Sequence, residues 1–201
     1  GKSTLSMHLI CYLARLGYSL GSIDVDAHQG TLTRYLENRL HTATTRNIKL
    51  PMPDHHPILR SPLSIKEEAE KDEETRLMAC LGRLSDKDFI LIDTPGSDSY
   101  LSRLAHSQAH TLITPLNDSF VDLDVLARIC PQTVNVLRPS TYSEMVWDQK
   151  KRQAMAGRNG FDWIVVRNRL SSLNARNKEE MLSALVTLAA RIRFRNVPGF
   201  G

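Results

Sequence analysis

The stretch that most constrains this chain is Asp88–Gly96, DFILIDTPG. From Phe89 to Ile92 it is apolar without alternation, and an aspartate stands at each end. A strand with one wet face alternates polar and apolar residues. A continuous apolar run is covered on both faces, as the strands of parallel sheets are. Parallel strands need long crossover connections, and helical patterning flanks this run on both sides.

The same alternation recurs along the chain. Leu5, Leu9, Tyr12, Leu13 and Leu16 mark a helix from Lys2 to Arg15 that stops at Gly17. YSLGSIDVD reads as a strand and TLTRYLENRL as a helix. Residues 44–63, with four prolines and the pair His55–His56, read as a loop. Residues 64–84 read as a helix capped by Ser64 with Glu67 three residues on. Helices are expected at 99–108, 121–130, 141–157 and 174–190. Strands are expected at HTLITPLND, FDWIVVRN and RIRFR. The pattern predicts an α/β fold, a mostly parallel sheet with helices on both faces, in one domain spanning 1–201. Ligands in such sheets sit at the carboxyl ends of the strands. The polar clusters IDVD, IDTPG, TPLND and VRNR fall at those ends.

Composition narrows the class. No run of 18 or more apolar residues exists, so no membrane span is expected. Cys11, Cys80 and Cys130 lie far apart, which excludes a disulfide scaffold or a CxxC zinc site and fits a reducing, cytoplasmic compartment. His55 and His56 have no third metal ligand at usable spacing, and Trp147 and Trp163 read as packing residues. The net charge of +4 hides an asymmetry. Residues 150–201 carry 11 Lys+Arg against 3 Asp+Glu, and the rest of the chain is net acidic. Arg176, Lys178, Arg191, Arg193 and Arg195 are the candidate contacts to a polyanion, with no means of base readout. The alternative is a solvated edge strand guarded by charge.

The chemistry is carried by GKST at the start. GK[ST] alone is a weak signal. Here it opens an amphipathic helix, whose first N–H groups cradle phosphate oxygens, and IDTPG supplies an acid at the end of a buried strand. Together they read as the second half of a phosphate-binding loop with its metal-side carboxylate, giving a P-loop NTPase fold. Gly1 is then expected to be a truncation, since a strand and further glycines precede such a loop, and NVPGFG at the other end reads likewise. Phosphoryl transfer needs positive charge and metal at the β/γ oxygens and a carboxylate to orient water. Lys2, Ser3 and Asp26 offer those roles, and one such carboxylate predicts slow turnover.

IDVDxxQ with IDTPG, and no NKxD guanine motif, resembles the deviant Walker A group of ParA/MinD ATPases. NDSFVDLD, VWDQKKRQA, DWIVVRNRL and ARN resemble its MipZ branch. The resemblance covers nearly the whole chain. It implies ATP and Mg²⁺ as cofactors. Gly1, Lys2, Ser3 and Thr4 would hold the phosphates, with Ser3, Asp26 and Asp93 around the metal. Asp26 would position water, and Asn168, Arg169 and Pro198 would line the adenine. The family's signature lysine falls before Gly1. The resemblance also implies an ATP-dependent homodimer, nonspecific DNA binding, a ParB-type partner and inhibition of FtsZ assembly, in a polar gradient over the nucleoid. A ParA-type chromosome or plasmid partition ATPase is the alternative, and a DNA-binding scaffold without chemistry is a third. MinD-like membrane attachment would need a further C-terminal helix. One cysteine, Cys130, does not make the cluster ligands of a nitrogenase iron protein, and Asn117 with Asp118 stays unassigned.

Overall fold

The computed structural model describes residues 1–26, 29–117, 120–129, 136–168 and 175–200, with side chains described except at 120–121, 129, 136, 175–181 and 198–200. The chain divides into two compact units, Lys2–Ala105 and His106–Gly201.

In the first unit, α1 (Lys2–Arg15), β1 (Leu20–Asp24), α2 (Thr31–Thr45), β2 (Asp54–Pro57), α3 (Lys66–Arg83), β3 (Phe89–Asp93) and the start of α4 (Tyr100–Gln108) follow in order. Gly17 ends α1 in a left-handed conformation, φ 93°, which a Cβ would strain. The sheet order is β2-β1-β3 and every pairing is parallel. The central strand β1 is buried at all five positions. Gly21 of β1 faces Leu84, whose Cδ1 would lie 2.9 Å from an added Cβ, so any larger residue would push that core side chain away.

Both faces of this sheet are covered. Ile23, Ile90 and Ile92 pack with Leu77, Cys80, Leu84 and Leu101. Leu20 and Leu91 pack with Ile10, Leu13, Leu32 and Leu36. The unbroken apolar run of β3 thus serves two helical layers at once, although Phe89 at its start is exposed and Ile90–Ile92 are half-buried. On α1 the buried residue is Ile10, whereas Tyr12 is exposed.

Two sequence readings are corrected here. Residues 54–57, expected as loop, form the parallel strand β2, in register Ser22↔His55 and Asp24↔Pro57. Its four residues are polar or proline, so no apolar pattern announces it. Ser64 does not cap α3. The N-cap is Ile65 with no side-chain bond, and Glu67 and Glu68 complement the helix dipole from the first turn.

The second unit contains β4 (Thr111–Asn117), α5 (Phe120–Leu123), β5 (Ala127–Ile129), β6 (Val136–Pro139), α6 (Thr141–Met155), β7 (Asp162–Asn168), α7 (Ala175–Ile192) and β8 (Arg195–Phe200). Strands β4-β7-β8 form a parallel sheet, and β5-β6 an antiparallel pair. Trp163, 1% exposed, centres the core. It contacts Tyr142 and Phe194 by its ring and donates from Nε1 to Thr114 Oγ1 at 3.0 Å. Trp147 likewise packs against this core and donates to the Ile192 carbonyl at 3.0 Å.

The helix expected at 121–130 is corrected to the single turn α5 followed by β5. Asp122 accepts from the Asn117 N–H at 2.9 Å, and Leu126 N–H bonds back to Leu123. The chain therefore turns and Ala127–Ile129 joins β6. The strand RIRFR is also corrected. Arg191 and Ile192 end α7, and Arg193 closes it with φ 55°, so β8 starts only at Arg195. Exposure still alternates, because Ile192 and Phe194 turn into the core and the three arginines do not.

Candidate functional site

In the first unit, the carboxyl ends of β1 and β3 meet the first turn of α1. Asp24 and Asp93 are register partners that close the two strands. Asp93 is 3% exposed. Its Oδ1 accepts from Ser6 Oγ at 3.1 Å, and the Ser3 hydroxyl also bonds its carboxyl group. Burial raises the Asp93 pKa from its ordinary value. The Ser3 and Ser6 hydroxyls and the Lys2 charge oppose that rise, and Asp24 adds to it. The Lys2 ammonium hangs over the turn after β3, where a Cβ added to Gly96 would come within 3.2 Å of Nζ. The sequence gives this ammonium a glycine to lie on, and the DTPG turn leaves the space.

Asp26 lies two residues beyond the end of β1. Its N–H donates to Asp24 Oδ1 at 3.0 Å. Its carbonyl accepts from the Gln29 and Gly30 N–H groups at 2.9 and 2.8 Å. The backbone of Asp26 is thus held on both sides. Gly30 takes φ 54° to start α2 and has no side chain to cap it. Asp24, fully buried, supplies that cap from the neighbouring strand. Its Oδ2 accepts from the Thr33 N–H at 3.1 Å and from Thr33 Oγ1 at 2.8 Å. Thr33 Oγ1 also meets His55 Nε2 at 3.0 Å, and His55 Nδ1 meets Ser22 Oγ at 2.8 Å.

The sequence-predicted residues Lys2, Ser3 and Asp93 therefore converge, with Asp26 at the same end of the same sheet. Gly1 and Thr4 flank them in the chain. Ser6, Asp24, Thr33 and His55 were missed. The first Asp of IDVD carried a signal, but Thr33 and His55 read as ordinary helix and loop residues.

The residues present suit a hard cation and a phosphate group. A hydroxyl beside a buried carboxylate offers oxygen donors, a lysine adds a positive point charge, and the helix start adds backbone N–H groups. Among the described residues no three His, Cys, Asp or Glu gather to hold a metal by themselves. Mg²⁺ is a hard cation that keeps its waters and takes much of its coordination from substrate phosphates.

In the second unit Asn168 is 9% exposed and ends β7 in register with Asn117 of β4. Arg169, Asp118 and Cys130 lie outside the described residues. Pro198 sits on β8, beside the stretch of β7 where the register shifts. Arg176 and Lys178 fall in the first turns of α7, outside the described side chains. Arg191, Arg193 and Arg195 are exposed, and Arg195 is ion-paired to Asp162 across β8 and β7. No helix among the described residues is long and apolar enough to cross a membrane.

Solved structures share this fold. A plasmid partition protein from Borrelia burgdorferi superposes with a TM-score of 0.62 at 15% identity, over 100% of this chain and 84% of its own. A Cyanothece McdA–ATP complex gives 0.61 at 18%, over 99% and 77%. Cobyrinic acid a,c-diamide synthase from Mycobacterium smegmatis, with bound ADP and magnesium, gives 0.57 at 16%, over 96% and 77%. No curated protein matches the chain. The family described as ATPase MipZ matches residues 1–201 in full, and the chain belongs to that family of P-loop ATPases.

Proposed function

We propose that this chain is an ATP-driven dimerisation switch that helps set the division plane. The observation that carries the reading is the meeting of Lys2, Ser3 and buried Asp93 at the carboxyl end of β3, in a member of an ATPase family. When bound, Mg²⁺ would neutralise charge on the β/γ oxygens. Lys2 would contact those oxygens and Ser3 would offer its hydroxyl to the metal. Asp93 would hold the metal's water, Asp26 would orient the attacking water, and Gly1 and Thr4 would complete the phosphate cradle. Asn168, Arg169 and Pro198 are assigned to the adenine on the strength of the family resemblance.

With one orienting carboxylate, hydrolysis is slow and acts as a timer. ATP holds a homodimer, and the dimer binds DNA without base readout and opposes FtsZ assembly. A ParB-type protein concentrates the chain near a pole of the nucleoid, within the cytoplasm. The DNA contact is assigned to Arg176, Lys178, Arg191, Arg193 and Arg195, and Asp162 offsets part of the Arg195 charge. In the full-length protein, Asp26→Ala should abolish ATP turnover while ATP-dependent dimers persist in sizing experiments. Unchanged turnover removes Asp26 from the chemistry. FtsZ sedimentation in the presence of that ATP-locked variant should fall. If it stays constant while DNA retention remains, the partition-ATPase reading replaces division-plane control.

A further inference from the structure

The polar chain Ser22–His55–Thr33–Asp24 runs through the otherwise apolar side of the first sheet that α2 covers. Ser22 and Asp24 are both fully buried on the central strand. A buried polar group is costly unless satisfied, and here every link is made. Asp24 accepts three hydrogen bonds, two from Thr33 and one from the Asp26 N–H. The single Thr33 hydroxyl proton goes to that carboxylate, so Thr33 Oγ1 must accept from His55 Nε2–H. The neutral imidazole then accepts at Nδ1 from the Ser22 hydroxyl. The network thus assigns one tautomer and one direction, from strand β1 through strand β2 and helix α2 back to the backbone of Asp26.

The geometry points to Thr33 and His55 as positioning residues for hydrolysis, acting through Asp24 to fix where Asp26 stands. This rests on the proposed role of Asp26 in orienting water. Asp24 joins three things in one carboxylate: the end of β1, the first turn of α2 and the Asp26 amide. While that carboxylate is held the Asp26 N–H stays tied to it, and Gln29 and Gly30 tie the Asp26 carbonyl as well. Removing the Thr33 hydroxyl leaves Oδ2 held by the Thr33 N–H alone and leaves His55 Nε2–H without an acceptor. An orienting group is sensitive to displacements of about 1 Å, and loss of an outer-shell partner typically costs about 10–100-fold in activity.

The test compares Thr33→Val, Thr33→Ser, His55→Gln and Asp26→Asn in the full-length protein, by single-turnover ATP hydrolysis, ATP affinity and far-UV circular dichroism. Thr33→Val should slow hydrolysis about tenfold with ATP affinity within about twofold of the parent. Thr33→Ser, which keeps the hydroxyl, should recover most of the rate. A role in folding alone would move affinity and rate together and would not follow the hydroxyl. Should Thr33→Val fail to fold, His55→Gln takes its place, because it breaks the same chain one link further out and should slow hydrolysis severalfold. Parental rates in a folded Thr33→Val, or equal slowing in Thr33→Val and Thr33→Ser, overturn the inference. The Asp26→Asn arm separates the two layers. If Asp26→Asn is inactive and the Thr33 and His55 variants are not slowed, only the positioning role fails. If Asp26→Asn is fully active, the underlying assignment fails and the positioning role with it.

Discussion

Replacing Asp24 by asparagine should destabilise the first unit by about 2–4 kcal/mol. The two side chains have the same shape, so the effect reads lost charge and hydrogen bonding and not packing. The carboxylate accepts at both oxygens, from the Asp26 N–H on one side and from two Thr33 donors on the other. An amide has one oxygen. Its better orientation keeps the two Thr33 bonds and turns NH₂ toward the Asp26 N–H, which loses one bond and sets donor against donor. A hydrogen bond to a charged group contributes about 1.5–3 kcal/mol, and setting donor against donor at a half-buried N–H adds about 1 more. The assay must suit the molecule. Both tryptophans, Trp147 and Trp163, lie in the second unit, so tryptophan fluorescence does not watch Asp24. Urea unfolding followed by far-UV circular dichroism, with hydrogen exchange read at the Asp26 and Thr33 amides, reports on the right place. A loss below about 0.5 kcal/mol with unchanged protection of both amides would refute the view that this carboxylate organises the turn.

Other expectations follow from the same geometry. Burial lowers the His55 pKa below its usual 6.5, against the pull of Asp24 and Glu37 and with help from His56. The unfolded chain then binds the proton more readily, so stability is full above about pH 6.5 and is lost as pH falls from there toward the folded-state pKa. The ratio of urea midpoints at pH 7.5 and 5.5 should move toward unity in His55→Gln, and an unchanged ratio would contradict the assignment. Trp163→Ala should cost about 3–5 kcal/mol in the second unit, measured by thermal melting, because a large, fully packed side chain and its bond to Thr114 are lost together. A cost under about 1 kcal/mol would show that the core is not centred there. Gly96→Ala should fold, since the contact at 3.2 Å is with the movable end of Lys2, yet it should weaken ATP binding severalfold by displacing that ammonium. Arg193→Glu should weaken DNA retention and flatten its salt dependence, and retention unaffected by the change would remove that residue from the interface.

The parallel α/β fold was legible because its signals are periodic and strong. The apolar runs of β3 and β7 and the helical stripes of α1 and α7 each state their element plainly. β2 was not legible, since its DHHP sequence pairs by backbone and its histidine binds a serine on the next strand. That information is tertiary. The end of α7 was misread because Arg193 adopts a left-handed turn conformation that its sequence does not announce, while the alternation of exposed and buried residues runs on regardless. For the candidate site, the meeting of Lys2, Ser3 and Asp93 could be expected because GKST opens a helix and IDTPG ends an apolar strand, both local signals. Thr33 and His55 could not, because only the packing of α2 and β2 against β1 brings them to Asp24.

The most direct test of the central claim is a calorimetric titration of ATP into the full-length protein, with and without Mg²⁺, for the parent, Lys2→Ala and Asp93→Asn. Convergence of these groups on one magnesium-bound triphosphate predicts strong Mg²⁺-dependent binding in the parent. Lys2→Ala should bind at least about tenfold more weakly, and Asp93→Asn should lose most of the Mg²⁺ dependence. Parental affinity and parental Mg²⁺ dependence in both variants would contradict it.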